Sequence, residues 1–378
     1  MSFIDPRTVV LLTGIMSGLM SLVLFSLKRN YPPSIKGLGH WSAGLLVLFI
    51  GALMFSVQGQ LPGFIAFPVS NLVLWCGLYL IYMGSEHFFG LTPRMGPWLA
   101  LLAVGLLVMS WFTLIDPSYH VRLVFSTLLR GFLLGMMAWL VLRQGANTFA
   151  RVLAVCVLSS ATAVQLMRVV TSFVNPVGSS IFDTDPFQLI YITSYAFLIF
   201  LLSISLVLLA SERLRTELEH LATHDSLTNA LNRRYINEAC NKELERCRRH
   251  GRSMALIMMD LDHFKAINDS YGHQAGDQVL VNFVAKINAL LRQPDLLGRF
   301  GGEEFVVLLP ETSLEEALIV TERIREVCIL NKHEPSCTVS MGMTTNNHDS
   351  DTVDTLMGRA DGALYRAKAN GRDRVETA

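Results

Sequence analysis

Two acidic points in the C-terminal half of the chain stand where phosphate chemistry could be done. Asp260 closes the apolar run Met254–Met259, and Glu303 with Glu304 follows a glycine pair, Gly301–Gly302. If that run and Phe305–Leu309 are neighbouring strands, Asp260 and Glu303 converge from adjacent strand ends. Such a carboxylate pair suits Mg²⁺, which takes one or two carboxylates plus phosphate oxygens. Two metals about 3.5–4 Å apart would clamp an in-line phosphoryl displacement. The glycines let backbone approach a bulky ligand that any side chain would hold off. Lys265, Lys368 and Arg372 supply cations for phosphates, while Asn268 and Asp277 are groups able to read a purine edge. Taken singly, each has an ordinary reading: a glycine pair between strands is usually only a turn, and strand-end acids are often solvated caps.

The elements that must hold these residues alternate in type. A helical stretch at about 233–249 leads to the apolar run, which is consistent with a buried strand. A helix from about Phe264, a turn at Tyr271–Gly272 and another helix to about Leu291 follow. Leu297–Phe300 and Phe305–Leu309 flank the glycines as a hairpin signal. A helix at 313–329, a strand near Cys337–Met343 and a final helix at 353–369 complete the series. Strands mixed with crossover helices predict an α/β sandwich of ferredoxin-like topology.

The rest of the chain is of another kind. Of 378 residues, the first 210 hold 15 charged side chains and the remaining 168 hold 47. The first part has too little charge to cover a soluble globule, which excludes a wholly soluble protein. The net charge of zero argues against an electrostatic binder of nucleic-acid polymers. None of the six cysteines has CxxC spacing, so structural zinc is poorly supported and reduced, mostly buried thiols are expected.

A bilayer crossing needs about 20 largely apolar residues. Seven stretches come close, at about 8–27, 41–57, 64–83, 97–115, 121–142, 150–174 and 187–210. Loops after spans one, three and five carry Lys28, Arg29, Lys36, Arg94 and Arg143; the alternate loops carry Asp116, Asp183 and Asp185 and no Lys or Arg. The positive-inside rule then puts the N-terminus outside and everything after Ala210 in the cytoplasm, as a multi-pass inner-membrane protein. Arg122, Arg130 and Arg168 fall within spans five and six, in the outer half, with no mid-span acid to pair with them. Intramembrane charge is expensive and usually faces a protein interior or cavity. Two readings stand: a pocket for an anionic ligand, or guanidiniums reaching headgroups or backbone carbonyls. Span seven runs on into Ser211–Thr223, where Leu214, Leu218 and Leu221 are spaced as a coiled-coil seam.

The segment Arg299-Phe300-Gly301-Gly302-Glu303-Glu304-Phe305 resembles the GGDEF/GGEEF motif of diguanylate cyclases. The likeness covers roughly residues 221–375 through five ordered blocks: DSLTNALNRR at 225–234, DLDHFKAINDSYGHQAGD at 260–277, RFGGEEF, SMGMT at 340–344 and ADGALYRAKANGRDRV at 360–375. It implies a palm-like α/β nucleotidyl cyclase domain, 224–378, which follows the all-α polytopic membrane domain, 1–210, and the coiled-coil stalk, 211–223, read from the apolar stretches and the leucine spacing. It also implies that Asp260, Glu303 and the Leu261 carbonyl ligate Mg²⁺. Two ions are expected per site, with Mn²⁺ able to substitute. Glu303 is then also the base for a 3′-hydroxyl, and Glu304 supports the second metal.

By the same resemblance Phe264, Lys265, Gly301 and Gly302 line the phosphate pocket, and Lys368 and Arg372 hold terminal phosphates. Asn268 and Asp277 bind guanine, and His273 falls in the same substrate block. Two GTP molecules would be joined into cyclic di-GMP, with loss of two pyrophosphates, across a homodimer. Arg292 and Asp295, an RxxD ending before the motif, resemble the family's inhibitory product site. Three departures stand out. Asn229 replaces a glycine, which a left-handed turn tolerates; Ala230 replaces a leucine; and Gly298 stands where a larger residue would be expected to pack better. Two other readings are a catalytically silent nucleotide receptor and a transporter with a regulatory nucleotide domain. The first would be favoured by loss of Asp260, Glu303 or Glu304, the second by broken helices or an intramembrane acid pair, and neither is seen.

Overall fold

A computed structural model describes residues 5–144, 148–174, 186–329, 337–346 and 350–378. The chain divides into two units, Met1–Thr216 and Glu217–Ala378. Asp183 and Asp185, read above as outer-loop acids, lie outside the described residues.

Among the described residues the first unit is built from seven long helices: α1 (Pro6–Asn30), α2 (Leu38–Ser56), α3 (Ser70–Phe88), α4 (Met95–Leu114), α5 (Tyr119–Arg143), α6 (Phe149–Val174) and most of α7 (Pro186–Thr223), whose last residues fall in the second unit. Asp5 caps α1 ahead of Pro6, and Ser118 caps α5. Pro68 sits in a π-helical turn, Ile65–Val69, that leads into α3, where its missing N–H costs the main helix nothing. All seven are long and apolar enough to cross a bilayer, and the chain is read as a multi-pass membrane protein. Large apolar side chains such as Leu22, Leu107 and Trp111 stand on outward faces. Water would penalise such faces; hydrocarbon does not. Inside, Gly44 and Gly77 let α2 and α3 approach until a Cβ on Gly44 would stand 2.7 Å from the Gly77 carbonyl, the small-residue packing usual between membrane helices. Ser21 and Ser42 bond across α1 and α2, and Trp41 Nε1 donates to Ser85 Oγ at 3.1 Å. The expected span seven and its continuation are one unbroken helix, α7.

In the second unit the elements run β1 (Leu231–Asn232), α8 (Arg233–His250), β2 (Met254–Leu261), α9 (Phe264–Tyr271), α10 (His273–Leu290), β3 (Leu296–Arg299), β4 (Glu304–Pro310), α11 (Leu314–Ile329), β5 (Val339–Thr345), α12 (Val353–Ala369) and β6 (Val375–Thr377). The sheet order is β1-β3-β4-β2-β5-β6. Its central four strands, with α9–α10 and α11 as crossovers, form the ferredoxin-like arrangement expected. Helices cover both faces, which explains why β2 reads as an uninterrupted apolar run. Ala255, Ile257 and Met259 join the core under α10 and α11, while Met254, Leu256 and Met258 join the core under α8 and α12. All six cysteines are free; Cys240, Cys247 and Cys328 are buried, and Cys156 is exposed.

The Gly298 expectation is overturned. Gly298 in β3 lies against Ile236 of α8, and a Cβ there would stand 2.6 Å from Ile236 Cβ. A larger residue would collide rather than pack. Asn229, in contrast, adopts φ +61, the left-handed turn its chemistry permits.

Candidate functional site

β2 and β4 are antiparallel neighbours, with Asp260 registered opposite Glu304. Strand parity places Asp260 on the side of Met258 and Leu256, under α12. From the end of α12, Lys368 Nζ reaches Asp260 Oδ2 at 2.8 Å. Glu303 lies in the turn before β4, and its carbonyl accepts from the Leu261 N–H at 3.3 Å. The two acids therefore converge at adjoining strand ends, as expected.

Electrostatics marks the same point. Burial pushes the Asp260 carboxyl above its ordinary range, an effect the Lys368 ammonium partly offsets. Glu303 is also raised, first by burial and then by the negative charge of Asp260. Two carboxylates held together against their own repulsion form a ready cation site. With the Leu261 carbonyl they match the small oxygen set that Mg²⁺ uses when phosphates complete its shell. Among the described residues no three acidic, His or Cys side chains cluster as a metal site.

The turn between β3 and β4 is narrow. The Phe300 and Gly301 N–H groups both donate to the Glu304 carbonyl, at 2.8 and 3.3 Å. Neither Gly301 nor Gly302 has the left-handed backbone a two-residue hairpin would demand. β3 and β4 do pair as the expected hairpin, but a left-handed turn is not what requires the glycine pair. Around Gly302 an added Cβ would meet nothing within 4 Å. At Gly301 an added Cβ would stand 2.8 Å from Glu304 Oε2, so the open backbone beside Glu303 is that of Gly302.

One guanidinium braces this turn. Arg299 donates to the Gly302 carbonyl through Nη2 at 2.8 Å and through Nε at 3.2 Å, while its Nη1 donates to Asp225 Oδ1 at 2.9 Å. Asp225 also accepts from the Thr228 N–H and hydroxyl at 2.9 and 2.7 Å. Burial would raise the Asp225 carboxyl, but the bonds from Thr228 and Arg299 outweigh it and hold it below the usual range. The spacing did not reveal this brace, since its members lie 74 residues apart.

Asp262, two residues past Asp260, is likewise spoken for. It is buried and accepts from Thr338 Oγ1 and Ser340 Oγ, each at 2.7 Å, and from the Asp373 N–H at 3.1 Å. It ties down the turn at 371–373, where Arg372 and Asp373 both take positive φ, and so places exposed Arg372 near the end of β2. The first turn of α9 carries buried Phe264 and exposed Lys265. Asn268 lies over Gly276 so closely that any Cβ at 276 would strike its Oδ1. His273 and Asp277 are exposed at the start of α10.

Arg292 and Asp295 form their own turn between α10 and β3. Asp295 Oδ2 accepts from the Arg292 N–H at 2.8 Å, and Arg292 accepts from the Asp295 N–H at 3.0 Å. The spacing thus has a structural cause, and it leaves the Arg292 side chain exposed. In the first unit, Arg130 and Arg168 line two cavities, and Arg122 lines the second of them.

The family model described as "Diguanylate cyclase, GGDEF domain" matches residues 222–374. The diguanylate cyclase DgcP of Pseudomonas aeruginosa is 46% identical over 162 residues, covering 42% of this chain and 24% of its own length. The diguanylate cyclase DgcM of Escherichia coli K12 is 41% identical over 168 residues, covering 43% and 40%. The chain thus spans less than half the length of these curated relatives. Among solved structures, the coiled coil and GGDEF domain of DgcB from Caulobacter crescentus, in complex with c-di-GMP, is 32% identical. That match covers 44% of this chain and 93% of that one, with a TM-score of 0.41.

Proposed function

We propose, from the premise that residues 222–374 are a GGDEF domain of the diguanylate cyclase family, that the whole chain is a membrane-bound enzyme condensing two GTP into cyclic di-GMP. The observation that carries this reading is the convergence of Asp260 and Glu303 beside the open backbone of Gly302. Asp260, Glu303 and the Leu261 carbonyl would hold Mg²⁺, which supplies Lewis-acid polarisation of phosphate oxygens when bound. The residues support this assignment; Glu304, opposite Asp260, is the candidate for the second ion.

In each of two steps, the 3′-oxygen of one GTP bonds to the α-phosphorus of the other, and the bond from that phosphorus to the bridging oxygen breaks. Pyrophosphate leaves with the electron pair, and the 3′-proton passes to Glu303. A carboxylate raised by burial and by Asp260 is a better proton acceptor than an ordinary one. Lys368 and Arg372 would draw the terminal phosphates, Phe264 and Lys265 the phosphate chain, and Asn268 and Asp277 the guanine, with His273 beside them. One domain binds one GTP, so a homodimer completes the site. The C-terminal part of α7 is the element suited to organise it, with the catalytic domain in the cytoplasm. Arg292, held out by Asp295, is suited to bind product and slow the enzyme.

The test is to incubate detergent-solubilised full-length protein with GTP and Mg²⁺ beside a Glu303→Ala, Glu304→Ala variant, following cyclic di-GMP by chromatography. Product from the parent alone supports the proposal. A dimeric parent that binds GTP, freed of bound product, yet makes none would mean either a membrane domain that holds the dimer off without its stimulus or a silent receptor, and the 211–378 fragment forced into a dimer separates the two.

A further inference from the structure

The seven-helix unit contains a charge arrangement that its own fold does not explain. Arg130 lies 9% exposed in α5, and the Nε atoms of Arg122, Arg130 and Arg168 are all buried without a hydrogen-bond partner. Their remaining polar contacts are to neutral side chains. Arg130 Nη2 donates to Thr127 Oγ1 at 3.4 Å, Arg168 Nη2 to Gln188 Oε1 at 3.0 Å, and Arg122 Nη1 to Thr113 Oγ1 at 3.4 Å. Arg122 also lies over the Phe67 ring, 4.3 Å from its centre. No described carboxylate pairs with any of the three. Guanidiniums that reached out to headgroups would keep their heads wet; Arg130 is buried, and Arg122 and Arg168 are only partly exposed.

The arginines are gathered at cavities, not scattered. Arg130 and Arg168 line both a cleft of about 750 Å³, open mouth included, and a second of about 420 Å³ that Arg122 also lines. The wall of the larger cleft is mostly apolar, with Val10, Leu48, Phe55, Val164 and Ile199 among its side chains, and Gln165, Tyr191 and Tyr195 add polar groups to it. The smaller is more polar, with Gln58, Asn71 and Ser126. A long apolar wall ending in unpaired guanidiniums is complementary to one chemical class.

We propose that this unit binds an amphiphilic anion, its carboxylate or phosphate head between Arg130 and Arg168 and its hydrocarbon tail in the larger cleft. Forked guanidinium donors suit either head. The head would supply the acceptors that the buried Nε groups lack, and the tail would leave water for an apolar wall. The site stands whether or not the C-terminal domain makes cyclic di-GMP, because it rests only on the membrane unit.

The test uses full-length protein in nanodiscs of zwitterionic lipid, with radiolabelled decanoate as the probe. Saturable binding, displaced by unlabelled decanoate but not by decanol, is expected. Butyrate should compete poorly, since it lacks the tail. Arg168→Gln and Arg130→Gln should each weaken binding by about tenfold or more, and Arg168→Lys by less. Circular dichroism would confirm that the helices persist, and if Arg130→Gln fails to fold, Arg168→Gln decides. Replacing part of the lipid with phosphatidylglycerol separates the two sources of such an anion. Loss of decanoate binding there would make a lipid headgroup the occupant, and unchanged binding would make it a free acid. No saturable binding, equal competition by decanol, or glutamine variants that bind like the parent would overturn the proposal.

Discussion

Arg299 and Asp225 share a hydrogen bond of 2.9 Å, and the same guanidinium holds the Gly302 carbonyl. The start of the C-terminal domain and the turn beside Glu303 are therefore fixed to one another through a single side chain. Both partners are mostly buried, with side-chain exposures of 16% and 24%, so screening by water does not cancel the pair.

Breaking that brace should affect turnover more than folding. Hydrogen bonds to charged groups contribute about 1.5–3 kcal/mol each. Asp225→Ala is expected to lower stability by about that much, a shift in the denaturant midpoint. Turnover should fall at least about tenfold, because about 1 Å of displacement at a reacting group can cost two orders of magnitude. Purified variants at matched GTP saturation would show it; equal turnover would mean that the turn holds its shape unaided.

Gly302→Ala separates turn geometry from ligand approach. The added methyl meets nothing within 4 Å and no left-handed backbone is involved, so the melting temperature should stay within about 2 °C of the parent. GTP affinity is expected to drop about tenfold or more if a nucleotide lies against that backbone. Isothermal titration with a non-hydrolysable GTP analogue reads the second number.

The raised carboxyl of Glu303 has a consequence for stability against pH. A group whose folded pKa lies above its unfolded one binds more protons when folded, so stability falls as pH rises through the interval between the two. Ionised Glu303, crowded by Asp260, thus works against the fold at neutral pH. Glu303→Gln should melt higher than the parent at pH 7.5, with the difference shrinking at pH 4, while losing product formation. Thermal scans at the two values suffice, and a variant that melts lower at pH 7.5 would contradict the assignment. Metal-free buffer is required, because a bound cation would relieve the same repulsion.

Gly298→Val should destabilise the domain by about 1–3 kcal/mol through overpacking against Ile236. Ile236→Ala alone opens a cavity and should cost about 2–5 kcal/mol. The double variant is expected to be more stable than the sum of the two losses predicts, since one change makes room for the other. Urea denaturation of the four proteins would give the coupling.

Much of this was legible in the residues because the signals were local. The limits of α12 follow from the Thr352 cap at one end and Asn370–Gly371 at the other. β2 read as a buried strand because helices cover both its faces. β1 and β6 went unread, being two and three residues long with no period to detect. The convergence of Asp260 and Glu303 could be anticipated from strand ends, but the occupation of Asp262 could not. Its partners Thr338 and Ser340 lie 76 and 78 residues away. Gly298 misled for the same reason: Ile236, the neighbour that forbids a side chain, is distant in sequence and close only in the fold.

The sheet of the C-terminal domain ends in strands of two and three residues, β1 and β6. So short an edge offers almost no free ladder of amide and carbonyl groups to a foreign strand. The domain is therefore guarded against growth by strand addition, whether by another copy or by an extended peptide. Any partner it takes must be met through loops and helix faces, where contacts form and part without unzipping a sheet.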